Sequence, residues 1–181
     1  MMTDVQKSSH NQESLMGLII MRGGTMETTG TSTDLLQLVT FTLGDNEYAL
    51  DIHCIQEVNR MGQITPLPDS AKYVEGVINL RGKIVPIINL RTKFGLESKI
   101  DASQSRIIVV EAGKTIGMIV DSVSEVLRIP SDIIEAPPDI AVSGTSRYLT
   151  GIVKLPDRLI SMLDVGELLG NASSEILALT Y

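Results

Sequence analysis

The chain has 181 residues, enough for one ordinary domain or two small ones. Hydrophobic residues make up 43% and charged residues 20%, the balance of a soluble globular protein, and with two Phe and no Trp its core has to be aliphatic. A net charge of −7 with no long basic run argues against a nucleic-acid or anionic-lipid surface, the lone Cys54 excludes an internal disulfide and suits a reducing cytoplasm, and no apolar run approaches the ~20 residues that span a bilayer.

Residues 1–34 are polar, rich in Gly, Ser and Thr, and without period, which predicts a disordered tail. Their one apolar patch, LMGLIIM, follows Asp4 and Glu13 rather than a basic stretch, so it does not read as a secretion signal. From Leu35 strand signals dominate. LLQLVTFTL and EYALDI flank a Gly44-Asp45-Asn46 turn, and RIIVVE and TIGMIVD flank a turn containing Gly113 and Lys114. Between them, YVEGVINLRGKIVPIINL predicts strands over Gly76–Leu80 and Lys83–Leu90, joined at Arg81-Gly82, where glycine supplies a positive φ. A helix there would have to contain Gly76, Gly82 and Pro86. Pro86 predicts an edge strand or a bulge. Arg81 stands at the tip as a solvated cation, free to fork onto a partner's carboxylate or carbonyl.

The sequence repeats itself. Gly44 and Gly113 are 69 residues apart, and Glu57-Val58 and Glu125-Val126 are 68 apart. After the loop PSDIIEAPPDIAVSGTS the offset is constant at 75, pairing Tyr73 with Tyr148, Gly76 with Gly151, Leu80 with Leu155, Asn89 with Asp164, and Gly95 with Gly170. Asn89 and Asp164 are predicted N-caps of one-turn helices, each closed by its glycine. The second hairpin turns at Pro156-Asp157, so only the first presents an Arg at its tip. Units of this size with about five short strands predict an all-β protein of two small barrels, packed through an apolar face with a groove between them. The expected boundaries are about 35–100 and 101–170, with exchange of chain between the barrels allowed, and the leucines of 171–181 predict a C-terminal helix or tail.

Catalysis finds little footing. EAGKT lacks the first glycine of a phosphate loop, and His53 and Cys54 are neighbours on a strand and point to opposite faces. Asp51 and Asp121 end strands in both repeats, which predicts a turn or cap role rather than an acid–base pair. No His, Cys and Asp grouping has metal-ligand spacing, and no cofactor is expected. What remains is a binding module, with Ile55-Gln56-Glu57-Val58 and the row Val120, Val123 and Val126 as candidate surface.

GVINLRGKIVPIINLR, Gly76 to Arg91, with LVTFTLGDNEYALDIHCIQEV, VDSVSEV and YLTGIVKLPDRLISMLDVGELL, resembles the CheW-type chemotaxis coupling proteins over roughly Leu35 to Gly170. The resemblance implies two SH3-like five-stranded barrels with short capping helices and a non-catalytic adaptor. Its partners would be the regulatory domain of the CheA histidine kinase and the cytoplasmic tip of transmembrane methyl-accepting chemoreceptors. It further implies a receptor groove at Ile55, Arg81, Gly82, Val120 and Val123, and a kinase interface at Glu57, Val58 and Gly76. The protein would be monomeric in isolation and cytoplasmic, recruited to receptor clusters without entering the membrane. Two other readings stand beside it: an adaptor of a chemosensory pathway with a non-flagellar output, and a barrel that binds single-stranded nucleic acid, disfavoured by six Phe and Tyr and the acidic charge.

Overall fold

A computed structural model describes residues 34–138 and 144–170; the expectations for residues 1–33 and 171–181 lie outside it. The described chain is all-β, with eleven strands in two mixed sheets. Strands β1 (Leu35–Leu43) and β2 (Asn46–Asp51) start one sheet. The chain then passes through a 3-10 turn at Ile52–Cys54 into the other sheet, where it lays down β3 (Ile55–Arg60), β4 (Val74–Leu80), β5 (Lys83–Asn89), β6 (Arg106–Glu111) and β7 (Thr115–Val120). At Asp121 it returns to the first sheet with β8 (Ser122–Pro130), β9 (Ile134–Glu135), β10 (Leu149–Lys154) and β11 (Leu159–Leu163). The six-stranded sheet runs β8-β1-β2-β11-β10-β9 and the five-stranded sheet β3-β6-β7-β5-β4.

The sheets therefore do not follow the 35–100 and 101–170 split, because β6 and β7 of the second repeat complete the barrel of β3 to β5, while β1 and β2 of the first repeat pair with β8 and β11. The exchange is symmetrical. β5 pairs in parallel with β7 through Ile87–Gly117, and its counterpart β11 pairs in parallel with β2 through Met162–Ala49. Bulges recur at matching positions, between Val74 and Gly76 and between Leu149 and Gly151. So do cross-connections from the Tyr pair, Asn89 N–H to Tyr73 C=O and Asp164 N–H to Tyr148 C=O.

Both N-caps form as expected. Asn89 Oδ1 accepts from the N–H groups of Arg91 and Thr92 ahead of helix α1 (Leu90–Lys93), and Asp164 Oδ1 accepts from Glu167 N–H ahead of helical residues 165–170. Gly95, at φ 75°, closes α1 with a Leu96 N–H to Arg91 C=O bond, whereas its counterpart Gly170, the last described residue, is itself helical. The prediction for Pro86 also needs correcting: β5 is an interior strand and the bulge lies in β4. Val77, opposite Pro86, exchanges both its backbone bonds with Thr65 on the other side, so the ladder needs no N–H from Pro86 towards β4. On the side of β7, pairing begins only at Ile87.

Three apolar clusters result. Leu38, Ala49, Ile129, Val153 and Ile160 fill the six-stranded sheet, and Val85, Ile87, Ile107, Val109 and Ile119 fill the five-stranded one. The largest cluster lies between the sheets and draws Phe41, Leu43 and Leu50 from one and Ile88, Ile108 and Met118 from the other. Phe41, Tyr48, Phe94 and Tyr148 pack there ring to ring, with centroids 5.5–5.9 Å apart. The two sheets are thus packed through an apolar face rather than tethered.

Candidate protein-docking site

The hairpin of β4 and β5 pairs Leu80 with Lys83, leaving Arg81 and Gly82 as a two-residue turn. Both take positive φ, 53° and 86°, the pattern of a type I′ turn whose twist matches its strands. Asn79 Oδ1 accepts the Gly82 N–H at 2.8 Å and holds the turn closed. An Arg at the first turn position sits where Asn or Gly is usual, at a cost of about 1–2 kcal/mol relative to an unstrained conformation.

Arg81 does not stand free. Its Nη2 donates to Glu57 Oε2 at 2.9 Å, linking the hairpin tip to β3, although the Arg81 side chain remains 81% exposed. An ion pair that open to water is worth about 0–1 kcal/mol, so it orients the guanidinium without locking it. β3 and β4 are the two edges of their sheet, and residues from both line one cavity, so the sheet curls until its edges face across a seam. The pair joins a residue expected on the receptor side, Arg81, to one expected on the kinase side, Glu57.

Ile55 opens β3, Val120 closes β7 and Val123 lies near the start of β8, so these three flank the two points where the chain passes between sheets. All three join the inter-sheet cluster. Val120 is buried, at 1% exposure, and can shape a groove only from beneath, whereas Ile55 and Val123 are half-buried. Gly82 is exposed at the tip and Val58 is 40% exposed. Gly76 is buried at φ 143°, and a Cβ there would stand 2.1 Å from Thr65 O, so its glycine lets the Thr65 segment bond to β4 at Val77.

Sequence reasoning missed a second copy of this surface. Arg158, beside the Pro156-Asp157 turn, pairs through Nη2 with Glu125 Oε1, the repeat partner of Glu57. Its Nε lies 3.1 Å from Glu47 Oε2, close enough for charge attraction but not aligned as a hydrogen bond. The bond to Glu125, reinforced by Glu47 and Asp157, pushes the Arg158 pKa up against a smaller opposing effect of burial. Leu155 N–H bonds Arg158 C=O around the Pro156-Asp157 turn, so Arg158 stands beside that tip at the position of Lys83 and Arg81 is the tip Arg of the two hairpins, as expected. Each barrel also exposes two aliphatics close in sequence to its ion-paired residues: Val58 and Ile84 (66%) on one, Val126 (53%) and Leu159 (62%) on the other. The signal was in the offsets, since Val58 and Val126 are 68 apart and Ile84 and Leu159 are 75 apart.

The remaining polar groups have structural work. Asp51 Oδ1 accepts from the N–H and Nδ1 of His53, while the Cys54 thiol turns towards the inter-sheet core and donates to Asp51 C=O at 2.8 Å. Burial, then the Asp51 charge, pushes that thiol up to about 11, the opposite of an activated nucleophile. Asp121 Oδ2 accepts from Gly44 N–H and from Arg91 Nη1 at 2.5 Å, pinning the β1–β2 turn to α1 at the second crossover.

The model of the CheW-like domain matches residues 37–173. The chain belongs to the CheW-like family. The chemotaxis protein CheW of Klebsiella aerogenes is 38% identical over 144 residues, 79% of this chain and 85% of the relative. The chemotaxis protein CheW of Helicobacter pylori is 37% identical over 137 residues, 75% of this chain and 82% of the relative. The crystal structure of the scaffolding protein TtCheW from Thermoanaerobacter tengcongensis shares the fold at a TM-score of 0.67 and 39% identity, over 72% of this chain and 89% of that one. Within the family frame the two sheets are the two SH3-like barrels, five-stranded apart from the two-residue β9, whose counterpart is the Thr65–Val77 bridge. No helix among the described residues is long and apolar enough to cross a membrane.

Proposed function

We propose that this chain is a non-catalytic coupling protein that bridges the cytoplasmic tips of transmembrane chemoreceptors and the regulatory domain of the CheA histidine kinase. The observation that carries the reading is the doubled surface: two barrels on one apolar core, each with an Arg–Glu pair and two exposed aliphatics close to it in sequence. One compact body with several exposed apolar positions suits a bridge, and two weak contacts gain strength when both are engaged in a lattice. Ile55 and Val123 offer apolar area at the inter-barrel groove over the buried Val120, and Arg81 and Gly82 offer the charged tip, a combination suited to an amphipathic helical hairpin of the receptor. Glu57 and Val58, with the seam shaped by Gly76, form the kinase side. Residues 35–170 act as the functional body, in the cytoplasm and recruited to receptor clusters. The nucleic-acid reading gains no support, because Phe41 and Tyr148 are buried in the inter-sheet stack rather than displayed as a stacking platform.

The test is a bridging pull-down with the full chain, a receptor cytoplasmic fragment and the kinase regulatory domain, run with wild type, Arg81→Ala and Glu57→Ala. Wild type is expected to retain both partners, Arg81→Ala to lose the receptor and keep the kinase, and Glu57→Ala to do the reverse. Capture of neither partner by wild type refutes the bridge, and loss of both partners by each variant refutes the division of residues.

A further inference from the structure

The chain passes between the two sheets twice, and the two passages are built differently. The first spends three residues, Ile52–Cys54, on a 3-10 turn whose side-chain bonds, among the described residues, are local. Asp51 Oδ1 accepts from the N–H and Nδ1 of His53, and the Cys54 thiol donates to Asp51 C=O. The second passage is one residue, Asp121, between Val120 of β7 and Ser122 of β8. The repeat carries the same difference, since Gly44 and Glu57 are 13 residues apart and Gly113 and Glu125 are 12 apart.

The short passage is held from three directions. Asp121 N–H donates to Thr42 C=O on β1 at 3.1 Å, and Asp121 Oδ2 accepts from Gly44 N–H at 2.7 Å and from Arg91 Nη1 at 2.5 Å. Arg91 Nε in turn donates to Glu97 C=O at 2.7 Å, so the guanidinium is itself fixed at two points. The Arg91 and Asp121 side chains are 15% and 25% exposed, dry enough for charge and direction both to count. At the 75-residue offset Arg91 matches Gly166, which has no side chain, so the second helix cannot build the same clamp. The clamp holds the strand ends that carry Val120, one residue before Asp121, and Val123, two residues after it. The coupling reading assigns both to the receptor groove. Glu57 and Val58, on its kinase side, lie on β3, which β6 separates from β7.

We infer that Asp121, held by Arg91, is a positioning residue for the receptor groove: it fixes where Val120 and Val123 stand against the β1–β2 turn, so that a helical hairpin meets a wall already in place. This rests on the coupling function proposed above and adds to it a residue that acts through its neighbours. A contact surface supported by its own hydrogen bonds costs less to order when a partner binds. Linkage is reciprocal, so a partner that needs the clamp closed must also tighten it.

The test titrates the full chain with a receptor cytoplasmic fragment and, separately, with the kinase regulatory domain, in wild type, Asp121→Asn and Asp121→Ala. Asn keeps an oxygen for Gly44 N–H and gives up the charge that holds Arg91, whereas Ala gives up both. Receptor-fragment affinity is expected to fall about threefold for Asn and about tenfold or more for Ala, with kinase-domain affinity within about twofold for each. Hydrogen exchange on the wild-type chain gives a reading that needs no variant: Gly44 N–H should exchange more slowly with the receptor fragment bound and at an unchanged rate with the kinase domain bound. Equal losses of both partners would make the clamp merely structural. That outcome, undiminished receptor binding by the folded variants, or a Gly44 amide indifferent to the receptor fragment overturns the inference and leaves the coupling function standing. Failure of wild type to bind the receptor fragment overturns both.

Discussion

Gly76 and Gly151 occupy the same position in the two repeats, and the structure predicts that alanine will cost very different amounts at each. At Gly76 the added Cβ meets backbone: Thr65 O at 2.1 Å, Thr65 C at 2.7 Å and Pro66 Cα at 2.9 Å, with φ at 143°. Relief requires the Thr65 segment to leave β4, breaking its two backbone bonds to Val77 at 2.9 and 2.8 Å. At about 1 kcal/mol for each bond and about 1–3 kcal/mol for a side chain at that φ, Gly76→Ala should lose roughly 3–5 kcal/mol. At Gly151 the Cβ meets a side-chain atom, Ile134 Cγ2 at 2.5 Å, with the nearest backbone atom, Glu135 O, at 3.3 Å. Relief needs only a shift of Ile134, whose branched χ1 is stiff, and no backbone bond is broken, so Gly151→Ala should cost about 1–2 kcal/mol. Urea unfolding of both variants, followed by circular dichroism at equal protein concentration, measures the difference directly. Equal losses, or a loss below about 1 kcal/mol for Gly76→Ala, would show that the Thr65 bridge is dispensable and refute the reasoning.

Arg81→Gly removes an exposed ion pair worth about 0–1 kcal/mol and relieves a positive φ, so thermal melts should show stability unchanged or raised by up to about 1 kcal/mol, while pull-down of a receptor fragment is lost. Asn89→Ala removes a cap that accepts from two N–H groups and a buried amide that donates to Glu75 and Ser98, and should cost about 2–3 kcal/mol in the same urea assay. Asn89→Asp keeps the cap, as Asp164 does in the other repeat, but faces the Glu75 carboxylate, and should recover only part of the loss. Cys54, pushed up to about 11, leaves about one thiol in a thousand ionised at pH 8, against about one in four for an ordinary thiol. Labelling by an aromatic disulfide should therefore run about a hundredfold slower than in urea and accelerate about tenfold per pH unit up to pH 10. Because the folded thiol holds its proton more tightly than the unfolded one, this group lowers stability as pH rises from about 8.5 towards 11.

Much of the fold was legible. Turn glycines, alternating aliphatics and the 69- and 75-residue offsets located the hairpins, and Asn and Asp before short polar-apolar runs located both caps. Partner choice was not legible. The repeat reports which strands each half contains, but β5–β7 and β2–β11 are pairings between halves, and their register depends on which faces bury together. At the candidate site, residue type pointed to Arg81, yet its partner Glu57 lies 24 residues away and meets it only because the sheet curls. Val120 belongs to a continuous apolar run, in which nothing local separates a core position from a groove position. Ile84 and Leu159 could have been found by comparing the repeats, because an aliphatic beside a turn in both halves has no core to enter at either.

The route of the chain bears on how a bridge can work. Two barrels in simple succession would share one linker, and an interface between domains joined that way ordinarily permits relative motion. Here the chain crosses twice, at Ile52–Cys54 and at Asp121, so the five-stranded barrel is held at both ends by the other. The largest apolar cluster lies between the two, and Asp121 ties the β1–β2 turn to Arg91 of α1 across the same junction. Swinging one barrel against the other would have to expose that cluster and break those bonds together. The relation between the two barrels is therefore set on folding. On the coupling function proposed above, a body built this way would spend little binding energy on ordering itself, and two individually weak contacts would be held in one fixed relation.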